Sequence, residues 1–176
     1  VVALSANENI ELLKAQAEQF RPALIGITNA AKASAFGAVD GAELLAGEEA
    51  VIAACTRDDV DTVVLAIGGI AALKPLLAAI KAGKRIACAN KESIVCGGAL
   101  VKRALQNSVA QLYPVDSEQS AIFQCLQAVN QANVSRLIIT ASGGALRDFD
   151  KSALERATAE QALRHPNWAM GKKITV

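Results

Sequence analysis

Between Asp61 and Ala89 the chain reads strand, turn, helix, turn, strand, and few folds accommodate that order in so short a stretch. The run Asp61–Ile67 (DTVVLAI) is short, apolar and β-branched, as a strand buried on both faces must be. Gly68 and Gly69 supply a turn, and Pro75 suits the first turn of a helix running to Lys81. Gly83 stands where a helix takes its left-handed terminal residue. Arg85–Ala89 is the next strand. Two strands joined through a helix lie parallel, so an α/β fold built on a mostly parallel sheet is expected.

The same alternation extends both ways. Val1–Leu4 reads as a strand, and Glu8–Phe20 as a helix with Ile10, Leu13, Ala17 and Phe20 on one face. Ala23–Ile27 is a strand, Ala30–Ala46 is Ala-rich and ambiguous, and Glu48–Cys55 is a short helix. Beyond the central unit come a helix at Glu92–Asn107, weakened by Gly97 and Gly98, and an apolar run at Val109–Val115 read as a buried strand. A helix at Glu118–Val129, a strand at Val134–Thr140 and short helices at Ser152–Arg156 and Glu160–Arg164 complete the pattern. Longer loops and polar motifs after Tyr113 put a domain boundary there, giving residues 1–113 and 114–176. Both ends are apolar and strand-like, and an isolated edge strand is a liability, so the chain is expected to be cut at both ends.

Composition narrows the function. The formal net charge is +1, which leaves no electrostatic footprint for nucleic acid or an anionic membrane surface. No apolar run approaches the roughly 20 residues of a membrane span. Cys55, Cys88, Cys96 and Cys125 form no C-x-x-C pair, and a reducing, cytoplasmic setting is the simplest reading. No G-x-G-x-x-G, Walker A, zinc spacing or nucleophile elbow occurs.

Four polar clusters remain, each at the end of an expected strand or in a loop. Asp116 and Glu118 flank Ser117 at the mouth of the Val109–Val115 run. In extended chain, residues two apart point the same way, so both carboxylates can face one hard cation. The alternative is a helix start, with Asp or Ser as cap and Glu in the first turn. Asn90-Lys91-Glu92 follows another strand, and reads either as ligand contacts or as an exposed turn into a helix. Ser142-Gly143-Gly144 is an anion nest or only a turn. The loop from His165 to Lys173 holds the chain's one His, one Trp and one Met, and reads as a lid or ligand-facing loop.

Taken in order, ANKES (89–93), PVDSE-x-x-AIFQC (114–125), TASGG-x-x-R (140–147) and HPN-W-x-MG-K-K-I (165–174) resemble the 1-deoxy-D-xylulose 5-phosphate reductoisomerase family. The resemblance implies a Rossmann-like NADPH-binding domain followed by the start of an α/β catalytic domain. It implies a divalent cation, Mn²⁺ or Mg²⁺, and rearrangement of a phosphorylated ketose followed by hydride reduction. Asp116 and Glu118 would then be two of three carboxylate ligands, with Lys91 and Ser117 contacting substrate. Ser142 and His165 would hold the substrate phosphate, and Trp168 would lie in a loop closing over it. Asn90, Glu92 and Gly171 would line the nicotinamide end of the cofactor, and Asn7 and Asn9 its adenosine end. A homodimer is also implied, with no nucleic-acid or membrane partner.

The chain departs from the family pattern in four places. The family's first strand and Gly-rich phosphate loop precede VVAL, and its third carboxylate follows ITV. Gln119 stands where the family commonly has His. Glu8 occupies a position at which a basic residue would suit a 2′-phosphate. Two other readings therefore stay open: a different Rossmann-type oxidoreductase acting on a sugar or amino-acid aldehyde, and a non-catalytic remnant of the family.

Overall fold

The computed structural model describes residues 1–140 and 143–164, and the chain divides into two compact units, Val1–Ser120 and Ala121–Val176. In the first, strands β1 (Ala3–Ala6), β2 (Leu24–Ile27) and β3 (Glu43–Ala46) pair in parallel, in that order. Strands β4 (Thr62–Leu65), β5 (Arg85–Cys88) and β6 (Gln111–Pro114) form a second parallel sheet, again in sequence order. Helices α1 (Ile10–Phe20), α2 (Ala30–Phe36), α3 (Glu48–Thr56), α4 (Leu73–Lys81) and α5 (Glu92–Gln106) alternate with the strands, and α6 (Ser117–Gln127) follows β6. This is the expected α/β architecture.

A groove of about 560 Å³ separates the two sheets, lined on one side by Val1–Ser5 and on the other by Asp59–Val64. The edges of β1 and β4 therefore face each other across it. Read outward from the groove, the strands run β1, β2, β3 one way and β4, β5, β6 the other, the arrangement of a doubly wound sheet at its switch point.

Each sheet has its own core. Leu13 and Ala17, one helical turn apart on α1, pack with Ile25, Ile27 and Phe36. Leu65 and Ile86 of the second sheet pack with Leu76, Ala79 and Ile80 of α4 and Val101 of α5. Helix α4 ends as Gly83 predicts: Gly83 has φ +72°, its N–H donates to the Ile80 carbonyl at 3.0 Å, and the Lys84 N–H donates to the Ala79 carbonyl at 3.1 Å. That pair of bonds is a Schellman cap.

Gly26 fixes how closely α3 lies on β2. A Cβ built there would meet the Ala50 carbonyl oxygen at 3.1 Å and the carbonyl carbon at 3.2 Å. Backbone cannot yield as a side chain can. Gly26→Ala is therefore expected to destabilise the chain by roughly 1–3 kcal/mol, read as a lower denaturant midpoint with an unchanged slope.

Four expectations need correction. The Asp61–Ile67 strand is buried on one face only: in β4 Val63 and Leu65 are buried, whereas Thr62 and Val64 are exposed and line the groove. The ambiguous Ala30–Ala46 stretch resolves into α2 and β3, because Asn29 caps a helix there by accepting from the N–H groups of Ala31 and Lys32. The Val109–Val115 run is not buried on both faces: β6 alternates exposed and half-buried residues, and among the described residues it pairs only with β5, at the edge of its sheet. Val134–Thr140 forms no strand; Leu137, Ile138 and Ile139 are exposed, and no described strand pairs with them.

In the second unit the remainder of α6 and a 3₁₀ turn, Gln131–Asn133, precede α7 (Lys151–Glu155) and α8 (Ala159–Ala162). Asp150 caps α7, and Thr158 and Gln161 form a reciprocal capping box on α8. The expected strand at Ile174–Val176 lies outside the described residues.

Candidate metal and cofactor site

Asp116 sits between β6 and α6, and its position separates the two readings left open for it. The Asp116 carbonyl accepts the Ser120 N–H at 2.8 Å, starting the helix. The carboxylate does not cap it. Oδ2 faces the Lys91 Nζ at 2.8 Å, and Oδ1 is buried with no hydrogen-bond partner. Glu118, in the first turn of α6, presents Oε2 to the same Nζ at 4.0 Å. Ser117 is exposed between them.

Two carboxylates thus converge on one ammonium at the C-terminal edge of β5 and β6. The hydrogen bond to Asp116 holds the Lys91 pKa above its ordinary value, against a desolvation that lowers it. With two negative charges and one positive, the cluster keeps a net negative charge. A buried carboxylate oxygen without a donor is costly, and it suits a hard cation, which takes oxygen ligands. Among the described residues no third His, Cys, Asp or Glu joins them. The pair therefore fits part of a divalent-cation site, the rest coming from substrate, water or residues elsewhere.

Asn90, just before Lys91, is 4% exposed and is spent inside the protein. Its amide nitrogen lies 2.7 Å from the Ile67 carbonyl, 3.0 Å from the Gly69 carbonyl and 2.9 Å from Glu92 Oε2. Its Oδ1 accepts the Ser93 N–H at 2.9 Å, opening α5. Glu92 in turn accepts from the Gly69 N–H through Oε1 at 3.3 Å. Asn90 and Glu92 together tie the end of β5 to the turn after β4, and Gly69 takes φ +73° to allow it.

At the switch point itself lies a cleft of about 810 Å³. Asn7, Thr28 and Gly68, from the C-terminal ends of β1, β2 and β4, line it, and the first turns of α3 and α4 point into it through Glu48 and Lys74. Helix N-termini favour anions, and open α/β sheets bind ligands at this edge. Glu48 and Lys74 form a 2.8 Å ion pair across the cleft. Asn7 is fixed in place by the Thr28 hydroxyl, which donates to its Oδ1 at 2.6 Å. Asn9 is not in the cleft lining; it caps α1 by accepting the Leu12 N–H at 3.1 Å.

The sequence reading missed Thr28, Asn29 and the second role of Gly69. Asn29 donates to Glu8 Oε1 at 2.7 Å, so Thr28-Asn29 braces the whole Asn7–Glu8 turn. The signal was present: Thr-Asn directly after a strand and before an Ala-rich segment is a helix start. Ser142, His165, Trp168 and Gly171 lie outside the described residues.

Comparison with known proteins places this geometry in context. Residues 1–98 match the family model described as 1-deoxy-D-xylulose 5-phosphate reductoisomerase, and residues 112–176 match the model of that enzyme's C-terminal domain. All of the chain aligns with the 1-deoxy-D-xylulose 5-phosphate reductoisomerase of Acaryochloris marina at 48% identity, covering 45% of that protein. The enzyme of Protochlamydia amoebophila is 45% identical, with 46% of its length covered. Among solved structures, DOX-P reductoisomerase in complex with NADPH, fosmidomycin and magnesium superposes with a TM-score of 0.85 at 37% identity, over 99% of this chain and 46% of that one. The Zymomonas mobilis enzyme in complex with NADPH gives 0.87 at 38% identity, over 94% of this chain and 44% of that one. The chain thus spans a little under half the length of the relatives it matches.

Proposed function

Given that the chain belongs to the 1-deoxy-D-xylulose 5-phosphate reductoisomerase family, we propose that the protein it forms part of converts 1-deoxy-D-xylulose 5-phosphate to 2-C-methyl-D-erythritol 4-phosphate. In this reading it uses NADPH and Mn²⁺ or Mg²⁺ and serves non-mevalonate isoprenoid synthesis. The observation that carries the proposal is the convergence of Lys91, Asp116 and Glu118 at the sheet edge, in the same unit as the cleft bounded by Asn7 and Gly68.

Asp116 and Glu118 would hold the cation, which when bound polarises the substrate's carbonyl and hydroxyl oxygens. Lys91 and Ser117, at the same edge, would contact substrate, and the Lys91 ammonium would offset negative charge that develops there. NADPH would supply the hydride from the cleft. Asn7 would meet its adenosine end, with Asn9 acting through the turn it caps. Glu92 would face the nicotinamide end, and Asn90 would hold Glu92 in that position.

By family kinship Ser142 and His165 would bind the substrate phosphate, Trp168 would close over it and Gly171 would line the cofactor. The reading assigns residues 1–113 to the nucleotide-binding domain and 114–176 to the catalytic one. It takes the groove between β1 and β4 as the seat of one further parallel strand of the intact protein. It also includes a homodimer, without nucleic-acid or membrane partners, in the cytoplasm. All four cysteines are free, in keeping with a reducing compartment, and among the described residues no helix is long and apolar enough to cross a membrane.

The test is reduced-nicotinamide absorbance after 1-deoxy-D-xylulose 5-phosphate is added to the intact protein with Mn²⁺. NADPH is expected to be consumed, and chelation of the metal to stop it. Turnover that survives chelation would instead favour a metal-independent Rossmann oxidoreductase.

A further inference from the structure

Lys91 does not merely stand near the carboxylates: its Nζ occupies the point on which both of them converge, 2.8 Å from Asp116 Oδ2 and 4.0 Å from Glu118 Oε2. We propose that Lys91 is a resident counter-cation, which offsets one charge of the pair until a divalent ion displaces it and so sets how tightly that ion binds. The inference rests on the metal reading of Asp116 and Glu118 given above.

Three observations support it. First, an ammonium and a divalent cation cannot share Asp116 Oδ2 at contact distance, because like charges that close repel strongly. Metal entry at the point where Asp116 Oδ2 and Glu118 Oε2 converge therefore requires Lys91 to leave. Second, the ammonium satisfies only one oxygen of Asp116; Oδ1 stays buried and unpartnered, so the placeholder is an incomplete solution that a second ligand-binding cation improves upon. Third, Lys91 has somewhere to go. Its side chain is half exposed, whereas Asp116 is 14% exposed. The carboxylate is fixed at the mouth of β6 and the lysine is the part that can swing.

The displaced ammonium would be released beside the metal, at the edge where substrate is to bind. Loading the cation and arming Lys91 toward a substrate oxygen then become one event. Reciprocity requires that a substrate group which draws Lys91 away tightens the metal by the same factor.

The experiment is a Mn²⁺ titration of the intact protein, followed by the loss of the free-ion electron paramagnetic resonance signal. Wild type is compared with Lys91→Met and Lys91→Arg. Removing a competitor held by a charge-assisted hydrogen bond is expected to lower the Mn²⁺ Kd of Lys91→Met about tenfold. Lys91→Arg keeps the charge and stays near wild type. A gain of affinity cannot come from misfolding, which removes the risk that the variant merely fails to fold.

A second readout is acetylation of Lys91 measured by mass spectrometry. Saturating Mn²⁺ is expected to raise its labelling rate while that of Lys81 stays constant. If wild type binds Mn²⁺ but Lys91→Met binds no tighter, or if labelling is unmoved by metal, Lys91 is not a placeholder and the metal reading still stands. If wild type binds no Mn²⁺ at all, both fail together.

Discussion

Asp116→Asn in the intact protein is expected to lower metal-dependent turnover by at least about a thousandfold, with the fold left intact. The substitution keeps the shape of the side chain and removes its charge. Stabilisation of developing charge by a bound cation amounts to several kcal/mol, and each 1.36 kcal/mol is about a factor of ten in rate. The reason for expecting the full loss lies in what Asp116 does not do. Its carboxylate takes no part in capping α6: Oδ1 has no partner and Oδ2 faces Lys91. Little structural work is lost with the charge. Steady-state rates at saturating Mn²⁺, beside a thermal melt of each protein, separate the two effects. A variant that melts like wild type but turns over at a similar rate would remove Asp116 from the site.

Asn90→Ala is expected to act in the opposite manner, through stability first. Its amide holds the Ile67 and Gly69 carbonyls and Glu92, and its oxygen holds the Ser93 N–H. Truncation leaves these buried or half-buried groups without that partner, at about 1–3 kcal/mol for each one left unsatisfied. A total loss of roughly 3–5 kcal/mol is expected, since some of the groups will recruit water. Asn90→Asp, of nearly the same shape, should do no better, because a carboxylate there faces three acceptors instead of donating to them. Urea denaturation of the three proteins checks this. Wild-type stability in Asn90→Ala would mean that the ties between β4, β5 and α5 are carried elsewhere.

The contrast between these residues shows what was legible in the sequence. The βαβ unit from Asp61 to Ala89 could be read because its signals are local: a β-branched run, a Gly-Gly turn, Pro75 and Gly83. Each works through its own backbone geometry, so the terminal cap of α4 was foreseeable residue by residue. The Asp116/Glu118 pair was legible as a candidate, but its use was not, since a helix start and a cation site draw on the same residue types. Only the direction of the carboxylate toward Lys91, 25 positions away in sequence, distinguishes them.

Asn90 illustrates the opposite limit. As a polar residue after a strand it reads as ligand-facing, yet its partners at Ile67 and Gly69 belong to a neighbouring strand end that only the fold brings close. The position of β6 at the edge of its sheet among the described residues and the lack of a strand at Val134–Thr140 have the same origin. Apolar runs record a preference for extended chain, but whether a strand forms, and which face it buries, depends on the partner beside it.

The most direct test of the account is anomalous diffraction from crystals of the intact protein soaked in Mn²⁺. The account predicts a single strong anomalous peak within direct-coordination distance, about 2.0–2.3 Å, of Asp116 and Glu118 oxygens, with the Lys91 ammonium moved off Asp116. Saturating Mn²⁺ with no peak there, and Lys91 still paired to Asp116, would contradict it.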